Sequence, residues 1–212
     1  MLTALVIAVI LSIIQLVSAM PGTEEKCLEG VHHKMFPSPE TGFATCFPWQ
    51  NKTCCSADVT VNLVERGKKD ISHFDWDYCG GLSEQCKTHI MGLECLYYCD
   101  PNMAKWEASN GVVDEVPICS DTCNGMFETC KNDKTYSENW LDEYFLYHDS
   151  KGPIIKPDRP CRTFAEIFKN GEGMCNHIYG NSYRYERSSN CMVFDFKGKN
   201  PNDKIVPPSS SH

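Results

Sequence analysis

Fourteen cysteines lie between Cys27 and Cys191 of this 212-residue chain, with no gap between them that could hold a linker. That ladder constrains the fold more than any other feature. Ahead of it, Leu2 to Val17 is a leucine/isoleucine/valine run closed by Val17-Ser18-Ala19, the apolar region and small-residue cleavage site of a secretory signal. No Lys or Arg precedes the run, so the α-amino group supplies its only positive charge. It is also shorter than the ~20 residues that a membrane helix needs. Residues 1–19 are therefore expected to be a signal peptide that delivers the chain, secreted, to an oxidising extracellular space. There, cysteines form a disulfide framework rather than a metal or redox site. Each bridge typically contributes ~2–4 kcal/mol by restricting the unfolded chain. Spacing alone leaves the connectivity open.

One stapled domain over residues 20–203 is the expected organisation, followed by a polar tail at 204–212. A formal net charge of −8 argues against nucleic acid and anionic membrane surfaces as main partners. The C-terminal residues include no hydrophobic stretch of the kind a GPI signal requires, so no membrane anchor is expected. Asn51-Lys52-Thr53 is the only N-x-S/T sequon and marks Asn51 as a glycan acceptor in an exposed loop.

Turn residues such as Pro37, Pro39 and Pro48 make Cys27 to Cys55 loop-like. Helical spacing is expected from Gly80 to Ile90. It is stronger after Pro117, where Cys119, Cys123, Met126, Phe127 and Cys130 form one apolar stripe. Phe164, Ile167 and Phe168 predict a short helix ending near Gly171. Cys175, Ile178, Tyr179, Ser182 and Tyr183 predict another helical face. Glu94 to Cys99 and Met192 to Phe196 are the strand candidates. The expected class is α+β: mainly helical, loop-rich and disulfide-stapled, with short strands. No catalytic fingerprint is present, and bridged cysteines are not nucleophiles, so no enzyme is expected. Adjacent histidines such as His32-His33 rarely face one ion, so no metal is expected either.

Ordered short motifs resemble the folate receptor family, which includes riboflavin-binding protein of eggs and the egg-surface protein Juno. The early motifs are Cys27-Leu28-Glu29-Gly30, Pro37-Ser38-Pro39-Glu40, Cys54-Cys55 and Phe74-Asp75-Trp76-Asp77-Tyr78-Cys79-Gly80. They continue with Cys95-Leu96-Tyr97-Tyr98-Cys99, Val116-Pro117-Ile118-Cys119, Asn139-Trp140, Met174-Cys175-Asn176 and Asn200-Pro201-Asn202. The likeness runs from about Cys27 to Asp203. It implies seven pairs: Cys27 with Cys54, Cys46 with Cys95, Cys55 with Cys99, Cys79 with Cys161, Cys86 with Cys130, Cys119 with Cys191, and Cys123 with Cys175. Relatives carry one further pair, absent here near Tyr136 and within 151–157, which implies a more mobile 137–158 loop.

The resemblance also implies a cleft for a flat heteroaromatic vitamin, carried as a transported ligand rather than as a cofactor. Tyr97 and Tyr179 match the residues that stack on the ring. Trp140 and Tyr144 match further aromatics of the cleft, Phe74 lines it, and Ser182 matches a polar residue near the ring edge. Folate-binding members place an Asp where this chain has Leu93. Glu94 is adjacent, but on an extended segment it would face the opposite side. The basic residues that meet the folate tail are also missing. No Lys or Arg lies between Trp106 and Ile118, a stretch that contains Glu107, Asp114 and Glu115, and Leu141-Asp142-Glu143 follows Trp140. Riboflavin needs neither feature, so the resemblance in the ligand site is to riboflavin-binding protein. The alternatives are folate or another pterin, or a Juno-like role with an extracellular or cell-surface protein partner and no small ligand.

Overall fold

The computed structural model describes residues 25–65, 76–109, 111–142 and 159–207. The signal segment, the end of the tail, Phe74, Tyr144 and most of the 137–158 loop lie outside these residues. The main helices are α1 (Ala57–Val64), α2 (Glu84–Cys99), α3 (Ser120–Cys130), α4 (Phe164–Phe168) and α5 (Gly171–His177). Between them run short strands: β1 (Glu107–Ser109), β2 (Val112–Val113), β3 (Val116–Cys119), β4 (Lys134–Thr135), β5 (Arg162–Thr163) and β6 (Tyr183–Glu186). The class is the expected disulfide-stapled α+β.

The strands pair only in twos. β1–β2 and β4–β5 are antiparallel, and β3–β6 is parallel with Val116 opposite Tyr183 and Ile118 opposite Tyr185. Isolated two-stranded ribbons are marginal in water, so bridges and helix packing must hold these in place. The bridges are Cys27–Cys54, Cys46–Cys95, Cys55–Cys99, Cys79–Cys161, Cys86–Cys130, Cys119–Cys191 and Cys123–Cys175. They are the pairs that the resemblance implies, and no cysteine is free. Cys95 and Cys99, one turn apart on α2, tie that helix to the N-terminal loops. Cys123–Cys175 ties α3 to α5.

Four local expectations are corrected. Glu94–Cys99 is the C-terminal end of α2, not a strand. The segment holds no β-branched residue. Cys86, Ile90 and Leu93 are buried at helical spacing, and that period simply continues. Ser83 caps the start by accepting from the Cys86 N–H at 3.4 Å. Second, Gly171 opens α5 rather than ending α4. The chain turns at Lys169 (φ 71°), and Asn170 caps α5 from Gly173 at 2.8 Å. Third, the helical face through Tyr183 stops at His177. Gly180 adopts φ 60°, which breaks the helix, and Tyr183 begins β6 against Val116. Fourth, Met192–Phe196 forms no strand; only Met192 makes an isolated parallel bridge to Ile118.

An aromatic chain runs through the core. Trp140 lies 6.1 Å from Trp76 and 6.1 Å from Phe164, and Phe164 continues to Phe168 at 5.5 Å. Tyr136, near the position of an absent cysteine, is buried and meets Tyr78 edge-on at 4.8 Å. A packed ring thus occupies that neighbourhood. Among the described residues no helix is long and apolar enough to cross a membrane.

Candidate functional site

Helix α2 sets the site. In a helix, residues three apart share a face, so Glu94 lies one turn before Tyr97 on the same side. An extended segment would turn Glu94 to the side opposite Leu93. The helix removes that constraint. Leu93 goes into the core at 1% exposure, about 100° around the helix from Glu94.

Tyr97 is half-buried, and its hydroxyl donates to the Gly111 carbonyl at 2.8 Å. Gly111 sits at the tip of the β1–β2 turn with φ 79°, a conformation that favours glycine. A Cβ there would also run into the Glu29 carbonyl. Glu107 secures this turn by accepting from the Gly111 N–H at 2.8 Å and the Glu29 N–H at 3.0 Å. Expected only as a repelling charge, it is a structural acceptor that fixes Tyr97 through Gly111. On the other side, His33 lies 5.3 Å from the Tyr97 ring, and its Nε2 is 3.3 Å from the Tyr97 carbonyl. Burial holds the His33 pKa below the usual 6.5.

Tyr179 comes from the turn after α5, half-buried, and its hydroxyl donates to Glu94 Oε1. Glu94 is 6% exposed. Tyr183 is buried beside it, 5.9 Å edge-on from Tyr179. Burial raises the Tyr183 pKa well above its usual value, and Glu94 and Tyr97 push it in the same direction. Tyr179 is thus hydrogen-bonded to Glu94, and Tyr183 is near enough to feel its charge, although these residues come from segments more than eighty residues away along the chain.

The remaining candidates divide. Trp140 is 1% exposed, donates its indole N–H to Thr135 Oγ1 at 3.2 Å, and meets Tyr179 edge-on at 5.9 Å. It backs Tyr179 from the core side. Ser182 is buried, with its N–H donating to the Tyr179 carbonyl at 3.1 Å and its own carbonyl accepting from Val116 at 3.0 Å. It therefore fixes the Tyr179 turn to β3. Phe74 and Tyr144 lie outside the described residues. Glu94 and Tyr183 are absent from the candidates drawn from sequence. Extending the Gly80–Ile90 period by two turns would have placed Glu94 one turn from Tyr97. Tyr183 could be found only through its strand pairing.

Glu115, another of the acids, lies 3.8 Å from Arg184. Asn51 is exposed, whereas Thr53 of the same sequon is buried and donates its hydroxyl to the Cys99 carbonyl at 3.3 Å. Among the described residues no three His, Cys, Asp or Glu side chains come together as a metal site.

The folate receptor family model matches residues 26–194. The chain is 31% identical over 175 residues to the riboflavin-binding protein of Gallus gallus, covering 82% of this chain and 72% of that protein. It is 33% identical over 197 residues to folate receptor alpha of Bos taurus, covering 85% of this chain and 79% of the receptor. Human folate receptor alpha is 30% identical over 199 residues, covering 85% and 74%. With the family model matching most of its length, its cysteines bridged as the family likeness implies and its tyrosines gathered at α2, this chain belongs to the folate receptor family.

Proposed function

We propose that this protein is a secreted vitamin-binding protein, not an enzyme, that holds a flat heteroaromatic ligand between Tyr97 and Tyr179, with riboflavin favoured over folate. The observation that carries the reading is the arrangement of the two tyrosines. Each ring is half-buried, and each hydroxyl is tied to a protein acceptor, Gly111 for Tyr97 and Glu94 for Tyr179. Side chains oriented before the ligand arrives lose less freedom on binding, which favours affinity. Seven bridges fit an oxidising extracellular compartment. Riboflavin is favoured because the segment from Trp106 to Ile118 supplies no cation for a carboxylate tail.

Titration of wild type, Tyr97→Ala and Tyr179→Ala with riboflavin and folate, read by ligand fluorescence and calorimetry, tests this. Removing one stacking face should weaken riboflavin by about 1–3 kcal/mol, roughly 5- to 150-fold. Affinity of wild type no better than millimolar for both ligands refutes the reading. A second reading, contact with an extracellular protein, has one observation in its favour. Val31 is 93% and Met35 75% exposed in the loop whose His33 packs on Tyr97. That reading leads if both vitamins fail to bind.

A further inference from the structure

An N-x-S/T sequon has two chemical halves: the asparagine amide that takes the sugar, and the hydroxyl two residues on that the transferase must grip. Folding treats these halves oppositely in this chain. Asn51 is exposed, whereas Thr53 is 0% exposed. The Thr53 hydroxyl donates to the Cys99 carbonyl at 3.3 Å and accepts from the Cys55 N–H at 3.2 Å. Its backbone is held as well, exchanging both N–H and carbonyl bonds with Ser38 at 3.1 Å. Trp49 before the sequon and Cys54 after it are buried, and the Cys54 N–H donates to the Cys99 carbonyl at 3.0 Å. The chain is also pinned covalently on either side, by Cys46–Cys95 ahead and by Cys27–Cys54 and Cys55–Cys99 behind. A surface asparagine therefore sits on a segment that cannot be lifted into an enzyme cleft without opening the core at the end of α2.

Resting only on the secretion clause of the reading above, and not on any ligand, we infer that Asn51 is a glycan acceptor with a closing window. Sugar transfer must precede the bridges of Cys54 and Cys55, and a molecule that oxidises first stays unmodified. The transfer forms a bond from Asn51 Nδ2 to the anomeric carbon of a lipid-pyrophosphate-linked oligosaccharide. The anomeric C–O bond breaks, the lipid pyrophosphate leaves with its electron pair, and one amide proton passes to a base of the transferase. Once the bridges have closed, modification needs a local opening, and its rate scales with the small population of the open form. Sugar transfer and disulfide closure thus compete for the same short segment, and occupancy of Asn51 reports their relative rates.

The test compares two forms of the full chain made in a host that lacks the transferase: one disulfide-intact, the other reduced with its thiols alkylated. Each is incubated with purified oligosaccharyltransferase and a lipid-linked oligosaccharide, and the gain in mass is followed over time, with Asn51→Gln as the blank. The reduced form should be modified at least roughly tenfold faster than the intact form, the ratio set by an opening cost of about 1.4 kcal/mol. In secretory cells, a membrane-permeant dithiol present during synthesis should give a glycosylated fraction no lower than that of untreated cells. Equal rates for the two forms in vitro, or a fall in the glycosylated fraction with the dithiol, overturn the inference. So does failure of the reduced chain to accept the sugar, which makes the sequon silent and Thr53 purely structural. Neither form needs a ligand, so the result is independent of vitamin binding. If cells add no glycan even with the dithiol while the two forms still differ in vitro, secretion is the clause that fails, and the proposal falls with it.

Discussion

Trp140→Phe separates a core role from a cleft-lining role at the residue where the two readings differ most. The indole is 1% exposed, touches Trp76, Phe164 and Tyr179, and donates to Thr135 Oγ1 at 3.2 Å. Replacing it by phenylalanine deletes roughly three buried ring atoms, costing about 2 kcal/mol at ~0.8 kcal/mol per buried carbon. Losing the indole hydrogen bond adds about 0.5–1.5 kcal/mol. The sum, about 2.5–3.5 kcal/mol, should lower the melting temperature by roughly 5–15 °C at ~2–4 °C per kcal/mol for a chain of this size. Scanning calorimetry at neutral pH, with the bridges intact, measures the shift. Riboflavin titration of the same variant should show less than about a fivefold change, because the Tyr179 face is retained. A melting temperature within about 2 °C of wild type, combined with a tenfold loss of affinity, would show that Trp140 lines the ligand and is not a core support.

Gly125 is inside α3, and an added Cβ would make only an ordinary van der Waals contact with His89 at 3.8 Å. Gly125→Ala should therefore stabilise by about 0.5–1 kcal/mol. At Gly173 a Cβ would strike the Phe168 carbonyl, so Gly173→Ala should destabilise by about 1–3 kcal/mol; urea midpoints that move the same way for both variants would refute the contrast. His33 has a pKa depressed below 6.5 by burial, which outweighs the opposing effects of the Tyr97 carbonyl and Glu107. The unfolded chain thus binds the proton more tightly, and stability present above pH 6.5 is lost as pH falls below that value. His32 and His89, also depressed by burial, act in the same direction. His33→Gln should flatten the fall in urea midpoint between about pH 7.5 and 5, and an unchanged slope would count against the assignment. Asn51→Gln, whose mass against wild type checks the glycan expected from the sequon, should have little effect on melting temperature. Thr53→Ala should also cost about 1 kcal/mol, because the Thr53 hydroxyl is buried and bonded; equal melting temperatures for the two variants would refute that distinction.

The cysteine ladder and the ordered motifs around it are sufficient to recognise the family and with it the bridge pairing, while apolar spacing by itself carries the helices after Pro117 and from Phe164. Those features are local or covalent: heptad-like stripes such as Cys123, Met126, Phe127 and Cys130 carry their helix on the chain itself. The tyrosines of the site were legible as motif positions, but their geometry was not. Whether Glu94 faces Tyr97 depends on α2 continuing past Ile90, and short apolar runs such as Glu94–Cys99 read equally well as strand or helix. Packing of α2 against the loops tethered at Cys95 and Cys99 resolves it. Periodicity alone extends a helix through Gly180 to Tyr183. Its strand exists only because β3, more than sixty residues earlier, offers a parallel partner. A chain alone can specify which stretches have one preferred period, whereas spacing leaves the bridge pairing open and only the family resemblance implies it. The meeting of Glu94, Tyr179 and Tyr183 is a set of contacts between segments with no local preference for one another, and tertiary packing alone decides it.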